Sequence, residues 1–190
     1  MTEEKKQSAF AGKSEKRFVR KTKRGKGRPE KEAREFDQEI LDIARVTRVT
    51  AGGKRMRFRV CMVIGDRKGR VGIGLAKAAD VPAAIEKSIR QAKKRMMQVN
   101  IVNETIPHRV EMKYGASRVI LKPAPKGTGL KSGGAVRAVL TLAGIPNAVS
   151  KIVGGTNKVN CARATMNALA TMKKSKRHLA PRPKSEANVQ

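Results

Sequence analysis

The stretch VTRVTAGGKRMRFRVCMVIGDRKGRVGIGLAKA, residues 46–78, decides how this chain folds. Two glycine-bearing breaks, Gly52-Gly53 and Gly65-Asp66-Arg67-Lys68-Gly69, cut it into three runs, the pattern of two successive hairpins. The middle run alternates. Met56, Phe58, Val60, Met62 and Ile64 take one face, and Arg55, Arg57 and Arg59 take the other until Cys61 and Val63 close it. Such a strand buries one side and shows a row of guanidinium groups on the first half of the other. RVGIGLAKA (70–78) reads as the third strand.

Working outward, Asp37 is placed to cap a short helix carrying Ile40, Leu41 and Ile43, which runs into the first strand, RVTRVTA. After the third strand, Asp80 and Pro82 open a helix. Its Ile85, Ile89, Ala92 and Met96 form a buried stripe, and Lys87, Arg90 and Lys94 lie opposite, as a solvated face or a phosphate contact. The expected order over 35–104 is helix, three antiparallel strands, helix. A second small α+β domain is expected over 105–172, after the pattern shifts to short strands in VNIVNETI (99–106), RVEMKYG (109–115) and SRVILKPA (117–124). A glycine-dense loop follows. Then come a helix with Val136, Val139, Leu140 and Ala143 inward and Gly144 and Pro146 at its end, a strand near 150–153, and a last helix with Val159, Ala162, Met166, Leu169 and Ala170 inward.

The charge says what such a chain sits against. Lys and Arg number 44 against 15 Asp and Glu, a formal net charge of +29 with a pI near 11.2. A free domain of that charge repels itself, so a polyanionic partner is expected, and nucleic acid fits best. A membrane fits poorly, since no apolar run reaches spanning length and no basic helix carries aromatic anchors. Trp is absent, Tyr114 is the one tyrosine, and four Phe complete the aromatics, so recognition rests on backbone and shape rather than on stacked bases. Residues 1–34 hold 13 basic and five acidic residues without apolar periodicity and read as a basic disordered arm; 173–190 reads as a second basic tail. Residues 35–172 still carry 25 basic against nine acidic side chains.

Cys61 and Cys161 stand apart in apolar contexts, and His108 and His178 are isolated, so no metal-ligand or nucleophile constellation can be assembled. Buried free thiols are expected, with no metal and no cofactor. The opening MTEEKKQ lacks the apolar core of a signal segment, and an intracellular location is expected.

One motif offers an enzyme reading. Pro125-Lys126-Gly127-Thr128-Gly129-Leu130-Lys131-Ser132-Gly133-Gly134 is similar to the phosphate loop of small-molecule kinases acting on galactose, homoserine and mevalonate, and it runs into a helix N-terminus. Lys131 and Gly133 depart from that pattern, and the large second domain of those kinases is missing. Gly12-Lys13-Ser14 lacks the first glycine of a Walker motif, which Gln7 replaces.

Six collinear motifs carry a broader likeness: VTRVTAGGKRMRF (46–58), GDRKGRVGIGLAKA (65–78), VPAAI (81–85), TIPH (105–108), LKPAPKGTGLKSGGAVRAVLTLAGIPN (121–147) and GGTNKVNCARAT (154–165). From about Asp37 to Met172 the chain resembles the bacterial small-subunit ribosomal protein five family. The resemblance implies a double-stranded-RNA-binding-like first domain and, for the second, the α+β fold those kinases also use. It implies a non-enzymatic, cytoplasmic, structural constituent of the small ribosomal subunit that binds rRNA and supports assembly and translational accuracy. Ribosomal proteins four and eight are the implied neighbours, with the mRNA entry path nearby. The rRNA-binding residues expected are Arg48, Thr50, Gly52, Gly53, Lys54, Arg55, Arg57, Arg59, Arg67, Lys68, Arg70 and Lys77, the Thr50–Arg55 turn matching a loop close to the spectinomycin site. Gly127, Gly129, Lys131 and Arg137 match the surface facing protein four. Ala51, Arg67, Leu75-Ala76 and Pro125-Lys126 depart from the family pattern. The alternatives are a free basic RNA-binding protein and a kinase-like enzyme using the Gly127–Gly134 loop.

Overall fold

The computed structural model describes residues 35–173. The basic arm and all but the first residue of the C-terminal tail lie outside them. Strands β1 (Asp37–Thr50), β2 (Gly53–Gly65) and β3 (Arg70–Ala78) follow one another as two antiparallel hairpins. Helix α1 (Val81–Lys94) starts at Asp80, which occupies the cap position without a side-chain cap hydrogen bond, with Pro82 in its first turn. A short β4 (Met97–Gln98) then pairs with the start of β3, completing a sheet of order β1-β2-β3-β4. The second half holds β5 (Val110–Tyr114), β6 (Ser117–Pro123), β7 (Leu130–Lys131), α2 (Gly134–Ala143), β8 (Ala148–Gly154) and α3 (Lys158–Thr171). Its sheet runs β5-β6-β8-β7, with β7 parallel to β8 and the remaining pairs antiparallel. The architecture is α+β in two parts, an antiparallel sheet followed by a mixed one.

Alternation along β2 decides what each face covers. Val60, Met62 and Ile64 lie under α1 with Ala84 and Ala92, while Ile85, Ile89 and Met96 pack half-buried at the margin. Gly72 and Gly74 of β3 let the helix come close: a methyl group at Gly74 would run into the Ser88 carbonyl. On the opposite face Cys61, Val63 and Val71 join Leu41 in one cluster with Val136, Val139 and Leu140 of α2 and Ala162 and Leu169 of α3. The two sheets thus share a core. Both cysteines are free and buried, as expected, and burial pushes the Cys61 thiol up to about 11, keeping it neutral.

Three expectations are corrected. No helix covers Ile40, Leu41 and Ile43: β1 is extended throughout, and a bulge between Ile40 and Asp42 resets its register. VNIVNETI forms no strand of its own, only isolated bridges from Val102 to Thr105 and from Thr105 to Asn147, because Asn103 and Glu104 turn at φ 50° and 65°. Ala170 is exposed rather than inward; Ala164, Thr165 and Ala168 take the buried positions of α3 instead.

Candidate nucleic-acid interface

Beyond the Phe58–Ala78 pair, β3 ends and β1 and β2 continue alone as a two-stranded ribbon. An isolated ribbon has no core to hold it, and this one places like charges opposite each other where Arg48 faces Arg55; the next arginine along, Arg57, faces Val46. On the same face Lys77 lies opposite Arg59 across β2 and β3. A shallow groove of about 260 Å³ runs between Val46, Arg48, Arg55, Arg57 and Lys77. At the tip the Thr50 hydroxyl donates to the Gly53 carbonyl at 3.0 Å, and Gly53 takes φ 123°. Gly52 and Gly53 have open space where a side chain would stand, so a flat ligand can reach the main chain there. Lys54 completes the exposed tip.

The second turn lies at the other end of β2, about 40 Å away along the strand, so the two tips cannot grip one phosphate group from both sides. It is also docked. The Arg67 and Gly69 amides donate to the Leu142 and Ala143 carbonyls at 3.1 and 3.0 Å, satisfying the C-terminal end of α2. Asp66 organises the turn by accepting from the Lys68 and Arg70 amides at 2.7 and 2.9 Å. Burial alone would push the Asp66 carboxyl up, but those amides and the Arg70 guanidinium hold it below its ordinary value. Asp66→Ala should therefore cost about 1–2 kcal/mol in urea unfolding at neutral pH. A lowered folded value makes this stabilisation complete above the usual carboxylate value of about 3.9 and lost as the pH falls beneath it. The gap between wild type and Asp66→Ala should close in that acid range.

Three expected RNA ligands are partnered internally. Arg67 pairs with Asp37 at 2.7 Å and Arg70 with Asp66 at 3.9 Å, both arginines remaining largely exposed. Arg59 pairs with Asp42 at 3.4 Å; Lys158, at the start of α3, approaches the same carboxylate at 4.0 Å, and the Arg59 Nε is buried without a partner. Asp42, shared by Arg59 of the first sheet and Lys158 of α3, is therefore the group that links the cationic face to the second half. Arg48, Thr50, Gly52, Gly53, Lys54, Arg55, Arg57 and Lys77 gather on the ribbon and its face; Arg67, Lys68 and Arg70 sit at the docked turn. Lys87, Arg90 and Lys94, which the sequence left undecided, line the free edge of β3 beside Arg57 and Lys77.

The glycine loop forms a separate surface. Gly127 and Gly129 take φ 87° and 71° with open space around them. The Gly129 amide donates to the Asn147 side chain at 3.0 Å, and Lys126 pairs with Glu104 at 3.4 Å, pinning the loop at two points. Lys131 and Arg137 are exposed, and Arg137 flanks the buried Val136. The N-terminus of α2 has no side-chain cap and no acidic residue in its first turn.

Comparison with known proteins covers both halves. The family model Ribosomal protein S5, N-terminal domain matches residues 36–100, and the model Ribosomal protein S5, C-terminal domain matches 112–182. The chain belongs to the ribosomal protein S5 family. Relatives named Small ribosomal subunit protein uS5 include that of Thermotoga neapolitana, 50% identical over 135 residues, which are 71% of this chain and 76% of the relative. The Thermotoga maritima protein is 49% identical over 138 residues, 73% and 78% of the two chains. The S5 N-terminal match takes in the ribbon, its cationic face and α1, and the C-terminal match takes in the glycine loop with α2 and α3.

Proposed function

We propose that this chain is a structural constituent of the small ribosomal subunit, the assembly its relatives' name states, and that it binds rRNA there. One observation carries the reading: the β1–β2 ribbon projects beyond its sheet with Arg48, Arg55 and Arg57 on one face, continuous with Lys77. A ribbon with unsatisfied like charges gains what it lacks from phosphates, by counter-ion release and without stacked aromatics. Family membership favours this over a kinase-like enzyme or a free basic protein, and a non-enzymatic role follows from it. The chain works on the ribosome, in the bacterial cytoplasm.

Finer features belong to the same reading. The first sheet with α1 serves as a double-stranded-RNA-binding-like module over 35–104, and the second domain spans 105–172. The surface of Gly127, Gly129, Lys131 and Arg137 faces ribosomal protein four, with protein eight and the mRNA entry path near, and influences assembly and accuracy. Co-sedimentation with the small subunit through a sucrose gradient in high salt tests the main claim: a kinase stays at the top and a nonspecific binder strips off. For the loop, Arg137→Leu in cells lacking the wild-type copy should raise stop-codon readthrough several-fold with little loss of assembled subunits. Unchanged readthrough, together with ATP binding by the purified chain, would remove the loop from this account.

A further inference from the structure

We infer that Lys87, Arg90 and Lys94 form, with Arg57 and Lys77, a second phosphate-binding rail that wraps around the open edge of β3 onto α1. The inference rests on the rRNA-binding reading and adds to it a surface on the far side of that edge strand. It starts from the sheet. β4 pairs only with Arg70 and Val71 of β3, so among the described residues the rest of β3 is an edge, and α1 lies along it. Gln91 closes part of that edge by accepting the Leu75 amide at 2.9 Å, which fixes how the helix is rotated against the strand. With Gln91 turned in, Lys87, Arg90 and Lys94 form a stripe at helical spacing immediately outside it, spanning about 10 Å of axis.

Two adjoining clefts, of about 630 and 530 Å³, lie between this stripe and the strand, and Arg57, Lys77, Lys87 and Arg90 line both. Arg57 and Lys77 also line the groove on the ribbon face, so the same two side chains are reached from either side. The path of positive charge is continuous from Arg48, through Arg57 and Lys77, to Lys94. Between the charged groups the lining is Leu75, Ala76, Ala78, Ala79 and Ala83, mostly small residues that a rigid backbone can lie against. A protein partner would require a deep apolar anchor pocket at the centre, which four alanines and the half-buried Leu75 do not provide. The occupant that fits is an RNA phosphodiester backbone. Among the described residues Glu86 is the one carboxylate lining the cleft, 4.0 Å from Arg90 and largely exposed, and it opposes such a ligand.

The test uses the full chain and an in-vitro transcript of small-subunit rRNA, with affinity measured across a salt series. Lys87→Gln, Arg90→Gln and Lys94→Gln together should lower the slope of log affinity against log salt by about two and weaken binding about 100-fold at 0.1 M salt. Glu86→Gln should strengthen binding a few-fold. A control set, Lys113→Gln, Lys122→Gln and Lys151→Gln, removes equal charge from exposed strand positions of the second half and should leave the slope unchanged. All these side chains are exposed, and the thermal midpoints should match wild type. Wild type that binds while the rail variant keeps its slope, or an equal loss in the control set, overturns the rail alone. Wild type that binds no rRNA overturns the rail and the reading beneath it.

Discussion

A chain carrying Gly144→Val should give no cooperative unfolding transition and should be recovered largely insoluble. Gly144 ends α2 in the left-handed conformation at φ 81°, where the Ile145 amide reaches back to the Leu140 carbonyl at 3.1 Å. A β-branched residue at that angle is strained by a few kcal/mol. Space makes it worse, because a β-carbon there would press into the Arg67 main-chain carbonyl, on the turn that docks against this helix end. Neither backbone can yield without breaking the amide contacts from Arg67 and Gly69. The combined cost is of the order of the whole stability of a domain this size. Gly134→Ala supplies the contrast: its β-carbon would meet open space at the start of α2, and it should raise the urea midpoint slightly. A Gly144→Val chain that unfolded at the wild-type midpoint would mean the docking of the turn on α2 is misjudged.

The second large effect should come from shortening the ribbon. Replacing residues 47–56 with an Asn-Gly turn closes the hairpin between Val46 and Arg57, which already face each other. The sheet from Phe58 onward keeps β3 and α1, so the thermal transition should stay within a few degrees of wild type. Three cations, Arg48, Lys54 and Arg55, leave with the tip. Affinity for an rRNA transcript should fall about 100-fold or more at 0.1 M salt, with the salt slope shallower by about two. Full affinity in the shortened chain would move the interface off the ribbon.

Much of this fold could be read from the chain because its rules are local. Alternation in residues 56–64, the glycine breaks around β2 and the glycine stop after α2 each name their element without reference to anything distant. The failure at β1 has a specific cause. The bulge between Ile40 and Asp42 sends Leu41 to the shared core while Ile40 and Ile43 turn to the α1 side, half exposed. An inserted residue makes a strand's apolar spacing look helical. The two-residue β4 and β7 are too short for any period to show. For the interface, the sequence marked the arginine row but not which arginines keep their charge free. Arg59 meets Asp42 and Arg67 meets Asp37 only through sheet register, pairings no local pattern encodes. The α1 stripe was ambiguous for the same reason, since the rotation fixed by Gln91 depends on where β3 ends up.

The core shared by the two sheets bears on how the protein is made. A nascent chain delivers β1, β2, β3 and α1 first, and at that stage α1 can cover only one face of the sheet. Cys61, Val63 and Val71 on the other face wait for Val136, Val139 and Leu140, and then for Ala162 and Leu169, roughly a hundred residues later in synthesis. Throughout that interval an apolar surface stands bare beside a row of arginines, whose like charge opposes contact between neighbouring nascent chains.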